Sequence, residues 1–158
     1  MNQRKTLVAV LLVLAALCAL TSCALRIPAI DTARFLTAAE ANGFTVADRT
    51  SDAKQELGDD SCREYYLAQR DGFSVHFARL DSVKNAKALF DGRRSEAEQD
   101  SGVSVVSVSM AGLNYQKYTT TRNGRYYTMT RVDDTFLYAS VDQKDKDAVR
   151  SFFDRLGY

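Results

Sequence analysis

The chain has 158 residues, of which 46% are hydrophobic, and its 21 Lys and Arg stand against 20 Asp and Glu for a formal net charge of +1. Charges so balanced and interspersed leave no electrostatic footprint for nucleic acid, and the length fits one domain with a hydrophobic core. Three cysteines and one histidine give little material for a disulfide framework or a metal cluster, so neither a metal nor a cofactor is expected.

The first element is an address. Arg4 and Lys5 precede an uninterrupted apolar segment over residues 7–20, and small residues follow in Leu20-Thr21-Ser22-Cys23. A positive start, a hydrophobic segment and small residues before a cut are what a secretion signal needs. The run resembles the lipobox of bacterial lipoproteins. That resemblance implies cleavage before Cys23, diacylglycerol on its sulfur and fatty acylation, such as by palmitate, of the new N-terminus. Residues 1–22 then read as a lipoprotein signal peptide, 23–30 as the lipidated cysteine with a short tether, and 31–158 as a single domain. Two other readings share the segment: an uncleaved anchor, since residues 6–24 suffice to cross a bilayer core, and ordinary signal cleavage. All three place the domain outside the cytoplasm. Cys18 follows bulky Leu17 and would leave with the leader. Lipoprotein cleavage leaves 136 residues, a net charge of −1 and one thiol, Cys62, so a packed core rather than disulfides must hold the fold.

Asp31 is a good N-cap, Ile30 can staple onto Phe35, and apolar residues recur at helical spacing until Gly43, which predicts a helix over residues 32–42. Residues 44–48 alternate as a short strand, and residues 52–57 allow a helical turn in a polar stretch. Strands over 64–69 and 73–80 flank Asp71-Gly72, a two-residue hairpin signal that sets Ala68 opposite Val75 and Tyr66 opposite Phe77 on an apolar face. Tyr65, Leu67 and His76 then share the other face. Asp81 caps a long helix with Val83, Ala86, Leu89, Phe90 and Ala97 as its buried stripe, interrupted at Gly92. Residues 103–110, 113–121, 125–132 and 135–141 form a meander with Asn123-Gly124 as a hairpin turn. That turn puts Tyr118 and Thr120 beside Met129 and Tyr127 as the core face, and Lys117, Thr119, Thr121, Tyr126, Thr128 and Thr130 on the opposite one. For the next hairpin a three-residue loop ending at Thr135 is preferred over a two-residue turn at Asp133-Asp134, so that Leu137 and Ala139 join Met129 and Tyr127. Asp142 caps a final helix with Ala148, Val149, Phe152, Phe153 and Leu156 as its stripe.

An offset of 61 residues lays Tyr65, Tyr66, Arg70 and Asp81 on Tyr126, Tyr127, Arg131 and Asp142, so a hairpin followed by a capped helix reads as two pseudo-repeated halves. The expected fold is α+β, with an antiparallel sheet of about six to seven strands and three helices packed mainly on one face. From the lipobox to the closing Leu156-Gly157-Tyr158, and most of all over residues 114–158 with the turn Arg131-Val132-Asp133-Asp134, the chain resembles small lipoproteins of Gram-positive bacteria that carry a domain of unknown function. The resemblance implies a membrane-tethered α+β domain and no activity.

Candidate chemistry is thin. His76 has no carboxylate placed near it, the acidic group Asp59, Asp60 and Glu64 lacks the pattern of a calcium loop, and Asp91-Gly92-Arg93-Arg94 reads as a solvated helix surface. If helices cover one sheet face, the other displays Tyr65, Leu67, His76, Lys117, Tyr126 and Thr128, with Phe136 and Tyr138 extending the row. Aromatic and hydroxyl groups on a rigid sheet suit stacking on envelope glycans or docking a protein. The competing reading is an ordinary outer face, or one covered by residues 50–62. The functional expectation is a membrane-tethered, non-catalytic binding or accessory module of the cell envelope. The alternative is an envelope-polymer-modifying enzyme, which needs two carboxylates such as Asp133 and Asp134 to converge in a cleft.

Overall fold

The computed structural model describes residues 26–58, 61–70, 72–102 and 106–158. The leader, Cys23, the turn residue Asp71 and the acidic pair Asp59 and Asp60 lie outside the described residues. Among those described are four α-helices, α1 (Thr32–Ala41), α2 (Thr50–Leu57), α3 (Val83–Gln99) and α4 (Lys146–Leu156). Seven strands, β1 (Thr45–Asp48), β2 (Cys62–Arg70), β3 (Phe73–Leu80), β4 (Val106–Ala111), β5 (Tyr115–Arg122), β6 (Arg125–Val132) and β7 (Thr135–Asp142), form one sheet. Its order is β1-β2-β3-β7-β6-β5-β4, antiparallel throughout. The α+β class is as the sequence suggests, with one helix more than expected.

Local signals work where a cap or a turn residue fixes them. The Asp31 carboxylate accepts from the Arg34 N–H at 2.7 Å and starts α1. The β2–β3 register is as expected, with Tyr66 opposite Phe77 and Ala68 opposite Val75. Asn123 at φ 47° and Gly124 at φ 73° make the β5–β6 turn. Helix α3 starts one residue late: Ser82 is its N-cap, while Asp81 pairs with Arg63. It runs through Gly92 without a break, and Val83, expected in its buried stripe, is 51% exposed. A 3₁₀ turn over Gln143–Asp145 precedes α4, and Ala148 points outward.

Three larger expectations fail. The β6–β7 connection is the two-residue turn at Asp133 and Asp134, with Asp133 at φ 48°, so Leu137 pairs beside Thr130 and Ala139 beside Thr128. Aspartate tolerates that left-handed conformation, and the tighter turn suits the strand twist. Nor do the helices share one face. Phe35 and Ala39 of α1 and Val149, Phe152, Phe153 and Leu156 of α4 pack with Ala68, Val75, Phe77, Leu137 and Ala139. Ala53 of α2 and Ala86, Phe90 and Ala97 of α3 pack with Ala78, Tyr118, Tyr127, Met129 and Phe136. Strand residues alternate between these two sets, so the sheet is covered on both sides. The pseudo-repeat fails for the same reason. Tyr66 packs against the α1/α4 core and Tyr127 in the α2/α3 core, and the helices that follow β3 and β7 lie on opposite faces.

Ile30 is 2% exposed and donates its N–H to the Tyr158 hydroxyl at 2.8 Å; that hydroxyl also meets Thr135 Oγ1 at 3.0 Å. The chain entering the domain is thus locked to its C-terminal residue.

Candidate functional site

The six residues expected on one open face divide between two clefts on opposite sides of the sheet. Tyr65, Leu67 and His76 line a cleft under α2 and α3; Lys117, Tyr126 and Thr128 line a groove beside α4. Tyr126 is 4% exposed, so its expected place on a free surface is corrected: α4 covers the face it stands on.

The α2/α3 cleft encloses about 270 Å³. Its floor is a row of rings carried by adjacent strands. His76 and Tyr138 are opposite neighbours on β3 and β7 with centroids 5.6 Å apart, and Phe136 stacks at 6.2 Å from Tyr138. Tyr65 on β2 meets His76 edge-on, and its hydroxyl lies 2.8 Å from His76 Nδ1. Helix α2 forms one wall with Arg49 just ahead of it, and it is fixed to β2 by Arg49 N–H donating to the Tyr65 carbonyl at 2.8 Å and Tyr65 N–H donating to Thr50 Oγ1 at 3.0 Å. Helix α3 forms the other wall with Leu89 and Arg93, whose guanidinium carbon is 5.7 Å from the Tyr138 ring centroid. The reading in which residues 50–62 cover the face holds in part: α2 roofs the row while leaving the space open.

Burial, and then the nearby Arg93 charge, pull His76 down to about 4, so the imidazole is neutral at neutral pH. Burial also raises the Tyr65 and Tyr138 hydroxyls, which therefore stay protonated. The result is a half-buried aromatic floor with neutral hydrogen-bonding groups and a charged rim, where Arg93 pairs with Glu96 at 2.8 Å and Arg49 with Asp52 at 3.1 Å. Asp52 and Glu56 stand one turn apart on the same helix rather than across from each other. Asp133 and Asp134 serve the β6–β7 turn, accepting from Asn114 at 3.0 Å and pairing with Arg79 at 3.3 Å.

The α4 groove encloses about 290 Å³ and mixes apolar and charged groups, lined by Val108, Lys117, Thr119, Tyr126 and Thr128 of the sheet and by Lys146, Arg150, Phe153 and Asp154 of α4. Lys146 Nζ lies 5.3 Å from the Tyr126 ring centroid. Sequence reasoning missed Arg49 and Leu89 in the first cleft and the α4 residues in the second. Lys146, Arg150 and Asp154 recur at helical spacing beside the apolar stripe of α4, and that signal could have found them.

Cys62 is a free, buried thiol whose burial raises its pKa, consistent with packing rather than nucleophilic use. Among the described residues no group of His, Cys, Asp and Glu could hold a metal ion, and no helix is long and apolar enough to cross a membrane. No protein-family model matches the chain, and comparisons with curated proteins and with solved structures likewise find no match.

Proposed function

We propose that this protein is a lipid-anchored, extracytoplasmic binding module of the cell envelope, tethered through Cys23, whose ligand enters the α2/α3 cleft. The anchoring rests on the leader and the run Leu20-Thr21-Ser22-Cys23. The observation that carries the binding reading is the cleft. The cleft, about 270 Å³, lies just under the usual size of small-molecule sites, and its floor gathers the rings of Tyr65, His76, Phe136 and Tyr138 from three adjacent strands. Tyr65, Tyr138 and a neutral His76 offer ring faces and uncharged hydrogen-bonding groups, and Arg49 and Arg93 stand at the rim. That combination suits a sugar ring bearing a carboxylate, as in an envelope glycan.

Titration of the isotope-labelled protein with envelope glycan fragments tests this. Shifts are expected at Tyr65, His76 and Tyr138, and Leu67→Trp should abolish them by filling the cleft while the fold persists. Binding that survives Leu67→Trp would move the ligand out of the cleft and overturn the reading.

A further inference from the structure

Five large hydrophobic side chains are exposed among the described residues, and three of them, Val108 (46%), Met110 (52%) and Leu113 (74%), fall within six residues on edge strand β4 and the turn that follows it. That turn is rigid. The Gly112 N–H donates to the Tyr115 carbonyl at 2.9 Å, and a Cβ at position 112 would run into the Tyr115 ring. Asn114 is buried and bonded on both sides: its Nδ2 donates to the Ile27 carbonyl at 2.8 Å and to Asp133 at 3.0 Å, and its Oδ1 accepts from the Ile27 N–H at 3.3 Å. Leu113 is held outward between fixed neighbours.

The Asn114 clamp also fixes where the tether arrives. Cys23 lies four residues before Ile27, a reach of about 14 Å at full extension. A lipid on Cys23 therefore keeps the β4–β5 turn, clamped to Ile27 through Asn114, near the bilayer. Beside the apolar strip, Met110 is the register partner of Lys117, and Val108 and Lys117 share the α4 groove with Lys146 and Arg150. Among the described residues that line the groove, Asp154 is the one carboxylate against the cations Lys117, Lys146 and Arg150. Apolar residues flanked by cations are the chemistry of interfacial binding to anionic lipid.

We infer that Val108, Met110 and Leu113, with Lys117, Lys146 and Arg150 beside them, form a membrane-contact face that seats on an anionic lipid surface and sets the domain's orientation. The inference rests on the lipid-anchor part of the reading above and is independent of the cleft.

The chain contains no tryptophan, so a single introduced one reports its own surroundings. The mature lipidated protein is reconstituted in vesicles of phosphatidylglycerol and phosphatidylcholine, with Leu113→Trp compared against Ala41→Trp, an exposed position at the far end of α1, near β1 on the opposite edge of the sheet. Leu113→Trp is expected to emit to the blue of Ala41→Trp and to be quenched by lipids brominated in their acyl chains. Ala41→Trp is expected to stay unquenched. The blue shift should diminish in pure phosphatidylcholine and in the double variant Lys146→Gln with Arg150→Gln. Solvent-like emission from both positions, on protein that floats with the vesicles, overturns the contact face and leaves the anchor standing. Protein that fails to float overturns the anchor and the contact face with it.

Discussion

The two faces of the sheet receive similar strand residues and come to different ends. On the α1/α4 face, Phe35 stacks on Phe77 with centroids 4.7 Å apart and meets Phe152 at 6.2 Å, while Phe44 lies 4.8 Å from Phe152 and 5.6 Å from Phe73. Helix α4 contributes four buried residues from only 11. On the α2/α3 face, α3 spends 17 residues to bury Ala86, Phe90 and Ala97, and α2 brings only Ala53. Small side chains on the covering helices leave the aromatic strand residues beneath them unfilled, and that shortfall is the cleft. The covering helices set how closely the rings beneath them are packed on each face.

The two faces should differ most in what their helices lose on truncation. Phe152→Ala should cost about 3 to 5 kcal/mol, because its ring is enclosed by Phe35 and Phe44 and the neighbours cannot collapse onto the gap. Leu89→Ala on the other face should cost less than about 2 kcal/mol, since Leu89 already borders open space. Denaturant midpoints for the pair check this, and equal losses would mean that the two faces are packed alike.

Acid should act through the α2/α3 face. The folded pKa of His76, about 4, lies below its ordinary value of 6.5, so the unfolded chain binds the extra proton first and stability rises with pH across that interval. The contribution is complete above about pH 6.5 and is lost as pH falls toward about 4, amounting to up to about 3 kcal/mol. His76→Phe should flatten the stability profile between those limits. Because His76 is the chain's one histidine, a slope that persists would have to arise elsewhere.

The smallest effect concerns one hydroxyl. Tyr65→Phe removes the bond to His76 Nδ1 and should cost about 1 kcal/mol. It also leaves an imidazole nitrogen without its partner in the cleft, so the His76 titration, followed by its ring proton resonances, should move. Tyr126→Phe on the other face should leave that titration in place, since Tyr126 lies beyond the sheet from His76.

Much of the local structure was legible in the residues themselves. Asp31 with Ile30 and Phe35 marked α1, Asn123-Gly124 marked a hairpin with its register, and Val149, Phe152, Phe153 and Leu156 marked the buried stripe of α4, because caps, turns and periodicity act over a few neighbours. The side of the sheet on which each helix packs was not legible. Alternation separates a strand's two faces but does not say which is covered, and here Tyr65 and Tyr126 fell on opposite sides, each under a different helix. The β6–β7 register turned on the same ambiguity: with both faces buried, Leu137 is equally at home beside Thr130 or Met129, and only the Asp133 turn geometry decides. Residue patterns alone were enough for the seven strands, three of the four helices, the α+β class and the aromatic residues of the α2/α3 cleft, but not for α2 as a full helix or for Arg49 and Leu89. Only the tertiary structure decided that His76, Tyr65, Tyr138 and Arg93 meet in one cleft, because their meeting depends on how long-range strand order and helix volume fill the space above the sheet.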